Sequence, residues 1–157
     1  MCAYWLFKSE PSVFSIQDLE KAPQKTTYWS GVRNYQARNF IRDTMKKGDK
    51  VFFYHSNTEP NVIVGLAEIV KEAYPDFTAF DPDSEGFDPK SKTENPAWYM
   101  VDIRFLEIFP NPLPLDELKQ NADLKDFRLL QRGNRLSVFP VTDGEAKVLL
   151  RLSKGHH

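Results

Sequence analysis

Residues 28–40 read YWSGVRNYQARNF, and the fold is read outward from them. From Asn34 onward the apolar residues fall at 37, 40, 41 and 45, while Arg38, Arg42 and Lys46 share the other side. That spacing predicts an amphipathic helix, with Asn34 as its N-cap and Gly48 just past its end. The whole stretch mixes aromatics, amides and arginines, and few of its residues are aliphatic. A stretch that only filled a core would not need so many hydrogen-bonding groups.

Upstream, AYWLFK (3–8) is an aromatic-rich run that reads as a short strand, ended by Ser-Glu-Pro. Ser15 with Asp18 three positions later resembles a capping box, so a short helix follows. Downstream, KVFFYHS and NVIVGLAEIVKEA read as two buried strands joined by the turn NTEP. Residues 75–96 hold four prolines and no periodicity, which predicts a long surface loop. AWYMVDIRFLEIF (97–109) reads as a long strand, PLDELKQ and DLKDFRLLQRG as short helices, and RLSVFPV (135–141) as a strand. TDGEAKVLLRL closes the pattern as a helix with a Thr142/Glu145 capping box. There is no internal repeat and no linker. The expectation is one α+β domain over residues 1–157, a curled, barrel-like sheet of about five strands with short helices around it.

The chain has 157 residues, 41% hydrophobic and 27% charged, enough for a sizeable core. No apolar run reaches the length of a membrane span, and MCAYWLFKSEP lacks the form of a secretion signal. A chain that is not secreted is expected, cytoplasmic in a bacterium or nuclear in a eukaryote. Cys2 is the single cysteine, which excludes an internal disulfide and cysteine-based zinc sites. His156 and His157 end the chain in the manner of a tag remnant, leaving His55 as the one internal histidine. Neither a metal nor a cofactor is expected. The charge of −1 hides an uneven distribution. Residues 21–50 carry eight Lys/Arg against two Asp, residues 71–126 carry six Lys/Arg against thirteen Asp/Glu, and residues 127–157 carry six against two. Two basic blocks can form one positive surface if they meet in space, or can simply be solvated faces.

The signs of catalysis are few. His55 and Ser56 are adjacent on an expected strand, where neighbours point to opposite faces and form a poor dyad. No nucleophile elbow, phosphate loop, dinucleotide fingerprint or metal-ligand spacing occurs. Binding has more support. Trp29 lies one turn before a helix start, with Ser30, Arg33 and Asn34 around it. Free N–H groups at a helix start favour oxygen ligands. A tryptophan face stacks on a nucleobase for about 1–3 kcal/mol. Asn34 can present an amide to a base edge, and Arg38, Arg42 and Lys46 can meet phosphates. On composition alone this reading stands level with another, in which Trp29 is core and Asn34 only a cap.

The blocks YWLFKSEP, YWSGVRNYQARNF, FFYHSN, GLAEIVKEAYPD, DPKS with NPAWYMVDI, and RLSVFPV occur in order along nearly the whole chain. Together they resemble an EVE domain of the PUA-like superfamily. The resemblance implies a mixed β pseudobarrel with helices packed around it, similar to YTH domains, and recognition of a modified nucleobase. It implies that Trp29 walls a pocket, that Arg33 belongs to the same pocket block, and that Asn34 hydrogen-bonds the base edge. Lys8 and Ser9 would lie at the mouth, and His55, Ser56 and Asn57 would line the far side. Ser30 would act through its backbone. Tyr54, Phe77 and Phe80 are candidates for a second aromatic wall, while Trp5 and Trp98 read as core. Arg132 and Arg135 would join Arg38, Arg42 and Lys46 on the nucleic-acid backbone. The expected function is a non-enzymatic reader of a modified base, a modified cytosine or similar, in DNA or RNA. The alternatives are an enzyme or enzyme subunit acting on nucleic acid or modified nucleotides with His55 as general base, or a protein-interaction module docking through the proline-containing loop.

Overall fold

A computed structural model describes residues 2–155; the final histidine pair lies outside the described residues. Two of the apolar runs pair side by side: β1 (Tyr4–Ser9) is parallel to β3 (Lys50–His55), in register from Tyr4 opposite Lys50 to Ser9 opposite His55. Parallel neighbours need a crossover connection. Here it contains α1 (Ile16–Lys21), β2 (Thr26–Tyr28) and α2 (Tyr35–Asn39), so residues 28–40 lie inside the crossover. β4 (Val62–Pro75) runs antiparallel to β3, and β5 (Tyr99–Pro114) antiparallel to β4. After α3 (Leu115–Lys119), β6 (Val138–Val141) pairs antiparallel with the free side of β1, and α4 (Asp143–Ser153) ends the fold.

The result is a mixed sheet of six strands in the order β2-β5-β4-β3-β1-β6, not closed between β2 and β6. It is an α+β fold, a mixed sheet with short helices around it. The sixth strand is β2, three residues on the edge of β5. Three residues are too few for an alternating pattern, so only pairing reveals it. Four register shifts along the β4–β5 ladder mark irregularities of the kind that bend long strands.

Both expected capping boxes form, Ser15 with Asp18 and Thr142 with Glu145. Two helices differ from expectation. The helix from Asn34 is α-helical only to Asn39 and then widens into a π turn over Phe40–Thr44, where the Met45 N–H donates to the Phe40 carbonyl at 2.9 Å. Ala37, Ile41 and Met45 still face inward. The DLKDFRLLQRG segment forms two 3-10 turns, Ala122–Leu124 and Arg128–Leu130, instead of a helix. Asn121 caps the first through the Asp123 N–H, and buried Leu124 and Phe127 anchor the segment at close spacing. So short a segment gains little from helical propagation.

Trp5, Phe7, Phe52, Phe53 and Phe139 form the centre of the core. The Trp5 indole donates to Asp49 at 2.9 Å, and the same carboxylate accepts the Ala3 and Lys46 N–H groups. Among the described residues no helix is long and apolar enough to cross a membrane.

Gly65 tests the packing of α1 on the sheet. A side-chain carbon there would collide with Ile16 Cδ1 and with the backbone carbonyl of Glu107. The carbonyl belongs to a paired strand and cannot step aside. Gly65→Ala should therefore lose about 1–3 kcal/mol of stability, the usual cost of overpacking, read as a lower urea midpoint.

Candidate nucleic-acid interface

β2 ends at Tyr28, and the Trp29 N–H still donates to the Val101 carbonyl at 2.8 Å. The chain then leaves the sheet through Gly31, whose φ of +85° lies in the left-handed region that glycine adopts without strain. The Gly31 N–H donates to Asp76 Oδ2 at 2.8 Å, and Arg33 Nη1 donates to the same oxygen at 3.0 Å. Asp76 is 0% exposed and also accepts from the backbone and hydroxyl of Thr78. Burial pushes its carboxyl up, but the Thr78 hydroxyl, the Gly31 N–H and Arg33 together outweigh this and hold it below the usual carboxylate range. Arg33 further donates to the Gly86 carbonyl and lies 5.4 Å from the Trp98 ring.

This clamp shapes a cavity of about 620 Å³ walled by Tyr28–Val32, by Lys8 and Ser9 at the end of β1, and by Phe14 and Ser137. Trp29 belongs to both core and cavity. It is 9% exposed and packs against Phe7 at 5.2 Å, Phe53 at 5.6 Å and Phe14 at 6.4 Å. Tyr28 is 47% exposed and meets Phe77, itself 49% exposed, edge-on at 4.9 Å. Sequence reasoning passed over Tyr28. The signal was available, because successive side chains of an extended segment point to opposite sides, so an inward Trp29 sends Tyr28 outward. Lys8 lies 5.7 Å from the Phe139 ring, and burial pulls its ammonium pKa down. Ser9 Oγ donates to the Phe14 carbonyl at 2.6 Å.

The structure does not gather the remaining residues around this cavity. His55 is buried, and its Nε2 accepts the Ile16 N–H at 3.1 Å at the start of α1. Burial lowers its pKa, with Asp18 opposing weakly, so the imidazole is neutral and occupied. The Ser56 N–H donates to the Ser9 carbonyl at 3.0 Å. Asn57 is not itself in the wall, but its Nδ2 donates to Glu10, a wall residue, at 3.1 Å. Asn34 caps α2 by accepting the Ala37 N–H at 3.0 Å and opens onto a second cavity, of about 460 Å³, with Arg132 and Arg135. Arg38 donates to the Ala97 carbonyl, Arg42 grips Asp43 through two nitrogens, and Lys46 is exposed. Tyr54 is buried, and Phe80 borders a separate hollow with Phe87 and Pro89. Trp98 is buried and donates to Asp88 at 2.6 Å. Among the described residues no group of three His, Cys, Asp or Glu side chains is placed to hold a metal ion.

The family model for the EVE domain matches residues 3–152. The chain is 44% identical to human thymocyte nuclear protein 1 over 171 residues, which covers 98% of this chain and 75% of that protein. The crystal structure of human THYN1 protein in complex with 5-methylcytosine containing DNA superposes with a TM-score of 0.90 at 46% identity, covering 97% of this chain and 98% of that one. A YTH domain from Zygosaccharomyces rouxii, at 15% identity, TM-score 0.54 and coverage of 99% and 89%, shares the fold.

Two measurements check these assignments. Asp76→Asn leaves Arg33 without its carboxylate and should cost about 2–4 kcal/mol, below the upper range for buried pairs because the Arg33 side chain is 25% exposed. Since the folded carboxyl titrates below its unfolded value, the wild-type contribution is complete above the unfolded pKa. It is lost as pH falls through the folded one, and acid unfolding should begin earlier in the variant. His55 acts at higher pH. Its folded pKa lies below the unfolded value of about 6.5, so its contribution is full above that pH and declines below it, as the unfolded chain takes the proton first. Urea unfolding at about pH 7.5 and about pH 5.5 should show this decline, and His55→Gln should flatten it.

Proposed function

The chain belongs to the EVE domain family, and from that premise we propose that it is a non-enzymatic reader of a modified nucleobase in DNA or RNA. The cavity beside Trp29 is the base site. One observation carries the reading: an open cavity of about 620 Å³ joins an exposed aromatic face, Tyr28, and the rim of Trp29 to the polar groups of Lys8, Ser9 and the Ser30–Gly31 backbone. That combination suits a flat ring with a hydrogen-bonding edge, and the volume lies in the range of small-molecule sites. Taking a base out of the stack costs a few kcal/mol, which aromatic stacking can offset. A modified cytosine is the preferred ligand, since the human relative was crystallised with 5-methylcytosine DNA.

The enzyme reading lacks support from His55, whose Nε2 is occupied by the Ile16 N–H. A general base needs hydrogen-bond reach to the proton it abstracts. Residues 1–157 act as one domain in this proposal, in a bacterial cytoplasm or a eukaryotic nucleus.

Fluorescence anisotropy with paired oligonucleotides, identical except for 5-methylcytosine against cytosine, tests the reading in DNA and in RNA. The modified strand should bind more tightly, and Tyr28→Ala should cost about 1–3 kcal/mol on it without lowering the melting temperature. Mass spectrometry should recover the oligonucleotide unchanged. Equal affinity for all strand pairs would overturn the base site, and a chemically altered strand would overturn the non-enzymatic assignment.

A further inference from the structure

We propose that the second cavity is a phosphate site, anchored by Arg128, which grips the nucleic-acid strand next to the captured base; this rests on the base-site reading above. Arg128, Arg132 and Arg135 all line this hollow of about 460 Å³, together with the amides of Asn34, Gln36 and Asn134. No carboxylate lines it, and among the described residues none of the three arginines forms an ion pair.

Arg128 is half-buried, while Arg132 and Arg135 are exposed. Nη1 of Arg128 is buried and has no hydrogen-bond partner. A guanidinium stays charged at any physiological pH, and a buried unpaired N–H on it carries the full desolvation cost. Nη1 has no surface open to the hollow, so the nitrogens that an anionic oxygen would meet are the other guanidinium N–H groups of Arg128 and those of Arg132 and Arg135. The frame is already set. Asn134 Nδ2 donates to the Arg128 carbonyl at 3.1 Å, Asn134 Oδ1 accepts the Leu136 N–H at 3.1 Å, and Gly133 turns the loop at a φ of +81°. The Arg128 guanidinium rests 5.8 Å from the Phe40 ring. Because Asn34 Oδ1 is committed to capping α2, its Nδ2 is the part left to donate into this hollow.

Free phosphate and the phosphodiester of a strand share this chemistry. Continuity between the cavities favours the strand. Val32 and Ser137 wall the first cavity, while Asn34 and Leu136 wall the second. Two chain segments thus pass from one to the other within one or two residues, about 4–8 Å of backbone. A strand whose base enters the first cavity reaches the second with a neighbouring phosphate. Arg128, which sequence reading left aside, becomes a binding residue, and Asn34 moves from the base edge to the backbone.

The test uses the full chain, a short single-stranded oligonucleotide carrying 5-methylcytosine, and its unmodified twin, each titrated over a range of salt. Arg128→Gln and the double variant Arg132→Gln/Arg135→Gln should each lose about tenfold in affinity for both strands. The preference for the modified strand should stay as in the wild type. The slope of log affinity against log salt should become shallower by about 0.7 for each phosphate contact removed. Unchanged affinity and slope in the double variant overturn the proposal, even where Arg128→Gln fails to fold. Calorimetry with inorganic phosphate separates the sources. Phosphate binding that disappears in the double variant while oligonucleotide affinity persists marks a free-anion site and overturns the strand assignment. A wild type that binds both strands equally defeats the base site alone, since the salt slopes report the phosphate site independently.

Discussion

Asp76 is a carboxylate with no solvent exposure, and the geometry of the candidate site depends on how its charge is satisfied. An ionised carboxylate withdrawn from water is costly unless donors surround it. Here the Gly31 N–H, Arg33, and the backbone and hydroxyl of Thr78 do so. Two of those donors belong to the crossover segment and two to the turn after β4. The wall of the cavity beside Trp29 and the docking of the loop beyond Pro75 are therefore one event. Arg33 extends the clamp to the Gly86 carbonyl, so the loop acts as a buttress for residues 28–33.

Trp29 shows how a cavity wall can be drawn from a core. Its ring is held among Phe7, Phe14 and Phe53, and only its rim borders the cavity. The core reading of Trp29 holds, and the indole also borders the cavity. Aromatic packing fixes the indole, so the rim is presented without the loss of freedom that a mobile side chain would suffer on binding. Tyr28 supplies the exposed face, and Phe77 supports it from the loop.

Several polar side chains that look like ligand-binding groups are spent on the protein itself. His55 receives the Ile16 N–H across 39 positions, and Arg33 reaches Asp76 across 43. Asn34 closes the first turn of its own helix, and Arg42 is neutralised by the adjacent Asp43. A donor in a sequence carries no mark of whether its acceptor is a ligand or a distant carbonyl. Among the described residues, Arg128 Nη1 is the buried side-chain nitrogen left without a partner, and it is recognisable only once every neighbour has been placed.

The sequence by itself determined what short-range physics controls. The capping boxes at Ser15/Asp18 and Thr142/Glu145 form between residues three apart, and the long apolar runs of β1, β3, β4 and β5 are legible because burial selects their composition. The ordered blocks also carried the family. The tertiary structure alone decided that residues 26–28 would become an edge strand, that DLKDFRLLQRG would break into tight turns, and that Asn34 would face the second cavity. It also decided that Arg128, Arg132 and Arg135 would converge on one hollow without an acid. Local propensity acts over a few residues, whereas strand pairing, burial and the choice of a hydrogen-bond partner depend on groups that only the folded chain brings together.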